Sequence, residues 1–152
     1  MSTIIKDDEA RLLELLKEEL EIFSGILKLA EMQEELIEAD NIDAFSESLD
    51  HTQELIDIIN ELHQESDELM QAYISQTGVS GEGKNIEIEM AYRKLRDVIA
   101  ECVGLNDRNT TAAKKKTQHY MERIGKLSLS RKSMGSYIQS VANDPEMFDK
   151  TL

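Results

Sequence analysis

Apolar residues recur at alternating spacings of four and three along the third apolar segment of the chain. The positions in this repeat are Ile88, Tyr92, Leu95, Ile99, Cys102, Asn106, Asn109 and Ala113. This spacing is typical of a helix that is buried along one side against partner helices. An amide inside such an interface costs stability unless it is hydrogen-bonded, and it can fix the register of the helices. We therefore predict that Asn106 and Asn109 form a structural polar layer, with Gln33, Thr52 and Gln53 as candidate partners.

Two further apolar stripes precede this segment. The first predicts a helix over about Asp7–Glu38. Its apolar stripe is two rows wide, which indicates contact with two other helices. A polar break then separates it from a second helix, for which Asn41 or Asp43 is the predicted N-cap. We expect the second helix to end within residues 76–83, because the three glycines there weaken a helix.

The third helix is predicted to begin near Asn85 and to extend beyond the ends of the two helices that it packs against. Since a helix rises about 1.5 Å per residue, a third helix antiparallel to the second would pass the turn near Asp40 at about residue 118. The residues that follow would then project beyond the bundle and expose apolar area, which usually indicates a partner. The alternative is that this part folds back as a fourth helix. The apolar row on it consists of Tyr120, Ile124, Leu127, Met134, Ile138 and Val141.

These elements predict an all-α fold, an antiparallel bundle of three long helices. It is a coiled-coil-like hairpin plus a longer third helix, with a C-terminal helical or flexible tail. The composition agrees, since aromatic residues are 5%, charged residues are 32% and tryptophan is absent. We expect the bundle to occupy residues 1–128 and a C-terminal partner-binding tail to occupy residues 129–152.

The net charge of −14 is unevenly distributed. Residues 1–80 carry 4 basic and 21 acidic side chains, whereas residues 108–132 carry eight basic side chains and one acidic one. The basic stretch either complements the acidic hairpin within the bundle or forms a surface for a partner. Binding to nucleic acid is not predicted, because the acidic half would repel phosphates and few aromatic residues accompany the basic ones.

The sequence predicts neither an enzyme nor a cofactor. His51, His63 and His119 are scattered without the spacing of metal ligands, so no metal site is expected. The single cysteine, Cys102, lies in the apolar repeat and is interpreted as a small core residue. We see no signal peptide and no apolar stretch long enough for stable membrane insertion, and we expect a cytoplasmic protein.

Several segments of the chain resemble the FlgN family of flagellar export chaperones. These are the long Leu/Glu-rich first helix, the segment Ala39–Phe45 that leads into the second helix, the Asn106/Asn109 pair, and Tyr137 followed by Phe148–Lys150 near the end. The resemblance implies a chaperone without catalytic activity. Such a protein binds the C-terminal helices of the hook–filament junction proteins and delivers them to the flagellar type III export gate.

Together, the resemblance and the apolar row define a candidate client-binding surface. We call the following seven residues the client row: Tyr120, Ile124, Leu127, Met134, Tyr137, Ile138 and Val141. By family analogy, Tyr137 is also a candidate contact with the export gate. The competing hypothesis is a helical scaffold or adaptor that self-associates through the same row, for example as a homodimer, and has no export client.

Overall fold

Three long helices make up the fold. The computed structural model describes residues 6–80, 84–116 and 122–124, without the side chains of 78–80. The helices are α1 (Lys6–Glu38), α2 (Ile42–Ser80) and α3 (Ile86–Lys116), and residues 122–124 are also helical. No strand occurs within the described ranges. The predicted all-α bundle of three long helices is therefore confirmed.

Helices α1 and α2 form an antiparallel hairpin. Near the start of α1, the Arg11 guanidinium donates two hydrogen bonds to the Glu65 carboxylate, at 2.9 and 3.0 Å. Near the end of α1, Gln33 Nε2 donates to Thr52 Oγ1 of α2 over 3.0 Å. Because the partner's residue number falls as the α1 number rises, the two helices run in opposite directions.

Helix α3 runs parallel to α1 and packs closely against it. The thiol of Cys102 lies 3.5 Å from the Phe23 carbonyl oxygen, and Asn109 Nδ2 donates to the Ala30 carbonyl oxygen over 2.9 Å. Helix α1 packs extensively on both α2 and α3, whereas α2 and α3 approach each other less closely within the described residues. The predicted two-sided contact of the first helix is confirmed.

The α1–α2 turn combines a Schellman motif with an N-cap. The Asp40 amide donates to the Ile37 carbonyl over 3.2 Å and the Asn41 amide to the Leu36 carbonyl over 3.0 Å. Asp40 has a φ of 55°, the left-handed conformation that this motif requires after the helix and that Asp tolerates better than most residues. Asn41 Oδ1 then accepts a hydrogen bond from the Ala44 amide, so Asn41 is the N-cap of α2.

A second cap and a tyrosine hold the start of α3. Asn85 Oδ1 accepts hydrogen bonds from the Glu87 and Ile88 amides, at 3.0 and 3.3 Å. The Tyr73 hydroxyl of α2 accepts a hydrogen bond from the Asn85 amide over 2.9 Å. The end of α2 and the beginning of α3 are therefore joined, and the predicted helix start near Asn85 is confirmed.

Helix α2 ends at Ser80, within the range of residues 76–83 that the sequence predicted. The helix passes through Gly78, the first of the three glycines in that range. A glycine inside a helix costs about 1 kcal/mol relative to alanine, and packing can offset that cost. Here Thr77 is buried and its hydroxyl donates to the Tyr73 carbonyl one turn earlier, so the helix is still in contact with the core when it reaches Gly78.

The buried side chains form two apolar clusters. The main core unites all three helices and consists of Leu12, Leu16, Phe23, Ile26, Ile56, Ile59, Met70, Tyr73, Ile88, Ala91, Tyr92, Leu95, Ile99 and Cys102. The turn-end cluster lies beside the α1–α2 turn and consists of Ile37, Phe45, Leu49 and Ala113. Seven of the eight positions in the α3 repeat are buried, and Asn106 is half-buried, which confirms the predicted helix face.

Candidate functional site

The two asparagines of α3 occupy different environments. Asn109 is 2% exposed, and its amide donates to the Ala30 carbonyl, whereas its own Oδ1 is buried without a hydrogen-bond partner. Asn106 is half-buried. The side chains proposed as partners, Gln33 and Thr52, bond to each other instead. The amide of Asn109 thus contacts the backbone of α1, and the polar layer of Asn106 and Asn109 stays a prediction.

Polar pairs recur between α1 and α2 at a spacing that sequence reasoning missed. Glu19 is fully buried in the bundle and accepts a hydrogen bond from the Ser66 hydroxyl, which lies opposite it on α2. Fourteen residues further along each helix, in opposite directions, Gln33 meets Thr52. The signal was present in two heptad rows that mix apolar and polar residues. They are Leu12, Glu19, Ile26 and Gln33 on α1, and Thr52, Ile59, Ser66 and Tyr73 on α2.

Residues 122–124 lie alongside α2 and do not project past the turn. Arg123 Nη2 donates to the Ser46 carbonyl over 3.3 Å and to Asp50 Oδ1 over 2.8 Å. Ile124 is half-buried against the turn-end cluster. The expected projection beyond Asp40 is therefore wrong at these three residues, because they pack on the first turns of α2. This placement agrees with the alternative of a chain that folds back.

Most of the client row lies outside the described residues. This applies to Tyr120, Leu127, Met134, Tyr137, Ile138 and Val141, and to the predicted domain boundary at 128/129. Ile124 is the member that can be placed, and part of its side chain is already covered within the molecule. The client row therefore stays a prediction for all seven residues.

Ion pairs connect the basic stretch to the acidic hairpin. The pairs are Arg108–Glu34 at 4.0 Å, Lys116–Asp40 at 3.1 Å and Arg123–Asp50 at 2.8 Å. Each pair is partly exposed, so each contributes little to stability. Their arrangement favours the interpretation that the basic stretch complements the hairpin, at least at these three positions.

An open groove runs between α1 and α3 on the outside of the bundle. Its volume is about 410 Å³. The residues that line it are Leu27, Glu31, Glu34, Ala100, Glu101, Gly104, Leu105 and Arg108. Three of these side chains are acidic and one is basic. Sequence reasoning did not identify this groove, although Gly104 in the middle of a long predicted helix was a signal of unusual packing.

The described residues contain no group of His, Cys, Asp and Glu side chains that could hold a metal ion. Cys102 is 1% exposed, and burial, with a smaller effect of Glu101 and Glu31, raises the pKa of its thiol to about 12. Since the thiolate is the reactive form, this thiol is unreactive in the folded protein. In the part of the chain that can be described, no helix is long and apolar enough to cross a membrane.

These features define an all-α bundle of three long helices, with buried polar pairs between α1 and α2 and an open groove between α1 and α3. The family model described as FlgN protein matches residues 1–138, so the chain belongs to the FlgN family. This is a family of chaperones of flagellar export and not of enzymes. No curated protein and no solved structure matches the chain significantly.

Proposed function

We propose that the protein is a cytoplasmic export chaperone for hook–filament junction proteins. It binds the C-terminal helices of these clients and delivers them to the flagellar type III export gate. The observation that carries this proposal is the match of the FlgN family over residues 1–138, which include six of the seven residues of the client row. We assign no catalytic activity and no cofactor to the protein.

The client row supplies the apolar contact in this proposal. An amphipathic client helix lays its apolar face against an apolar row and thereby covers area that is otherwise in contact with water. Neighbouring charges select the partner and accelerate the encounter. Tyr137 is the proposed contact with the export gate, by analogy with the family.

The test is a pair of substitutions in the client row, Ile138→Asp and Val141→Asp, in one variant. We expect it to lose binding to the C-terminal segment of a junction protein, because a carboxylate in an apolar contact is costly to desolvate. Light scattering during size exclusion, alone and with the client, measures the complex, and circular dichroism measures helicity. A variant that binds like wild type would overturn the assignment of the row.

The matched control carries two apolar-to-Asp substitutions on an exposed part of α3. Ile86 and Met90 are 70% and 52% exposed, so Ile86→Asp with Met90→Asp adds the same charge outside the client row. We expect this control to bind the client as wild type does. A homo-oligomer that ignores the client would instead favour the self-associating scaffold.

A further inference from the structure

We infer that the groove between α1 and α3 is a second docking site, and that its occupant is a cationic amphipathic helix of the client. This inference rests on the proposed function and deepens it, because it adds a surface and a charge preference to the client row. It depends on three properties of the described residues: the apolar side chains in the groove, the charge of its rim, and the exposed backbone at Gly104.

Both helices contribute an apolar side chain to the groove, and each of these side chains belongs to a longer apolar row. On α1, the half-buried leucines Leu13, Leu20 and Leu27 are seven residues apart and share one face. On α3, Val98 and Leu105 are also seven residues apart and share a face. Leu27 and Leu105 line the groove from opposite sides. The heptad spacing of these two rows is the spacing that the apolar residues of a partner helix follow, with Leu27 and Leu105 as the contacts at the groove.

The rim of the groove is acidic. Glu31 and Glu34 lie on the α1 side and Glu101 on the α3 side, and Arg108 is the basic residue of the lining. The Arg108–Glu34 distance is 4.0 Å and the two side chains are 70% and 49% exposed, so both remain accessible to a partner at the rim. A helix with lysine or arginine beside its apolar face therefore complements the rim, and an acidic helix is repelled.

Gly104 leaves the backbone of α3 uncovered at the groove. In the part of the chain that the structure describes, a Cβ atom placed there would meet no atom of another element within 4 Å. Small residues at a helix surface allow a partner helix to approach closely, and such an approach buries more area for each turn. No contact among the described residues requires a glycine at this position, although glycine costs about 1 kcal/mol relative to alanine in a helix.

The experiment fills the groove without disturbing the fold. We expect Gly104→Leu to bind a fluorescently labelled C-terminal segment of a junction protein at least about tenfold more weakly than wild type, since a central contact is blocked. Gly104→Ala is the matched control and is expected to bind within about twofold of wild type, because a methyl group leaves the groove open. Neither variant should melt earlier than wild type, because both residues favour a helix more than glycine does.

A charge reversal tests the acidic rim separately. Glu31→Lys with Glu101→Lys is expected to weaken binding and to reduce its dependence on salt, because attraction between rim and client is lost. The control reverses Glu47 and Glu61, which are exposed on α2 outside the groove, and changes the net charge equally. This control is expected to retain wild-type affinity.

The outcomes separate this inference from the proposed function. If the groove variants bind like wild type while the client-row variant does not, the groove inference is overturned and the proposed function stands. If the wild type binds no junction protein, both are overturned. If the wild type self-associates and Gly104→Leu abolishes the association, the occupant is a second copy of the chain, and the inference of a client helix is wrong.

Discussion

The two interfaces of α1 are built differently. Against α2, polar side chains meet polar side chains, as in the Glu19–Ser66 and Gln33–Thr52 pairs. Against α3, side chains of α3 reach backbone oxygens of α1, at Phe23 and Ala30. The side-chain pairs between α1 and α2 depend on which residues stand at both positions. The contacts between α3 and α1 depend less on the α1 residue, because every residue provides a carbonyl oxygen. The α1–α2 interface therefore specifies the register of its helices more strongly than the α1–α3 interface does.

The polar pairs of the hairpin define its alignment. If α2 slipped by one heptad, Glu19 would face Ile59 or Tyr73 where it now faces Ser66. In the slipped hairpin, the Glu19 carboxyl group would lose its hydrogen bond with Ser66. Because the group is buried, a hydrogen bond to water would not replace it. The slipped hairpin is therefore disfavoured, in the way that a buried polar residue fixes the register of a coiled coil.

The largest expected effect is at the α1–α2 interface. Ser66→Ala removes the hydroxyl that donates to Glu19, and we expect it to lower the free energy of unfolding by about 1–3 kcal/mol, because Glu19 stays buried. Urea denaturation measures the change. Replacing both residues, Glu19→Leu with Ser66→Ala, should cost less than Ser66→Ala alone. A larger loss in the double variant would contradict the role of this pair.

The next effect concerns the α1–α3 interface and appears at alkaline pH. Burial raises the pKa of the Cys102 thiol to about 12, above its ordinary value. Between these two pKa values the unfolded chain loses the thiol proton and the folded chain keeps it, so stability falls as the pH rises. The slope is about 1.4 kcal/mol per pH unit, and from pH 8.5 to 10.5 the loss is about 2 kcal/mol.

The control for this pH dependence is Cys102→Ala. Other groups that ionise in this range, including Tyr73, whose pKa is also raised by burial, are common to both proteins. The difference between the two denaturation series therefore isolates the thiol. If the free energy of unfolding falls equally with pH in wild type and Cys102→Ala, the pKa of the thiol is the same in the folded and the unfolded chain, and the prediction is wrong.

The smallest expected effect is at Asn109. Asn109→Ala removes a hydrogen bond to the Ala30 carbonyl, and it also removes a buried Oδ1 that has no partner. These contributions oppose each other, so we expect the free energy of unfolding to change by less than about 1 kcal/mol. Thermal or urea denaturation of Asn109→Ala and Ser66→Ala under the same conditions compares the two losses of stability directly. A loss equal to that of Ser66→Ala would mean that both interfaces depend equally on their polar groups.

The sequence predicted local features well. The four-and-three repeat of α3, the cap at Asn41 and the helix start near Asn85 all follow from short-range patterns, and all three are confirmed. The end of α2 was predicted only as a range, residues 76–83, because the sequence does not show that the packing of Thr77 carries the helix past Gly78 to Ser80. Helix ends depend on such tertiary contacts more than helix interiors do.

Features that depend on two distant segments were harder to predict. Glu19 and Ser66 were missed because the apolar rows were traced through apolar residues alone. The placement of Arg123 beside Asp50 was missed because the length estimate treated the third helix as straight. The groove at Gly104 depends on the distance between α1 and α3, which a sequence pattern does not specify.

Because α1 and α3 are parallel, their helix dipoles point in the same direction along the bundle. Helix α1 ends and α2 begins at the α1–α2 turn, and the described part of α3 reaches the same level, so the partial negative charge of the α1 C-terminus lies near the partial positive charge of the α2 N-terminus. The last turn of α1 contains no basic residue, whereas Lys114–Lys116 occupy the last turn of α3. Lys116 reaches across to Asp40, so its positive charge lies beside the C-terminus of α1, which lacks a basic residue of its own.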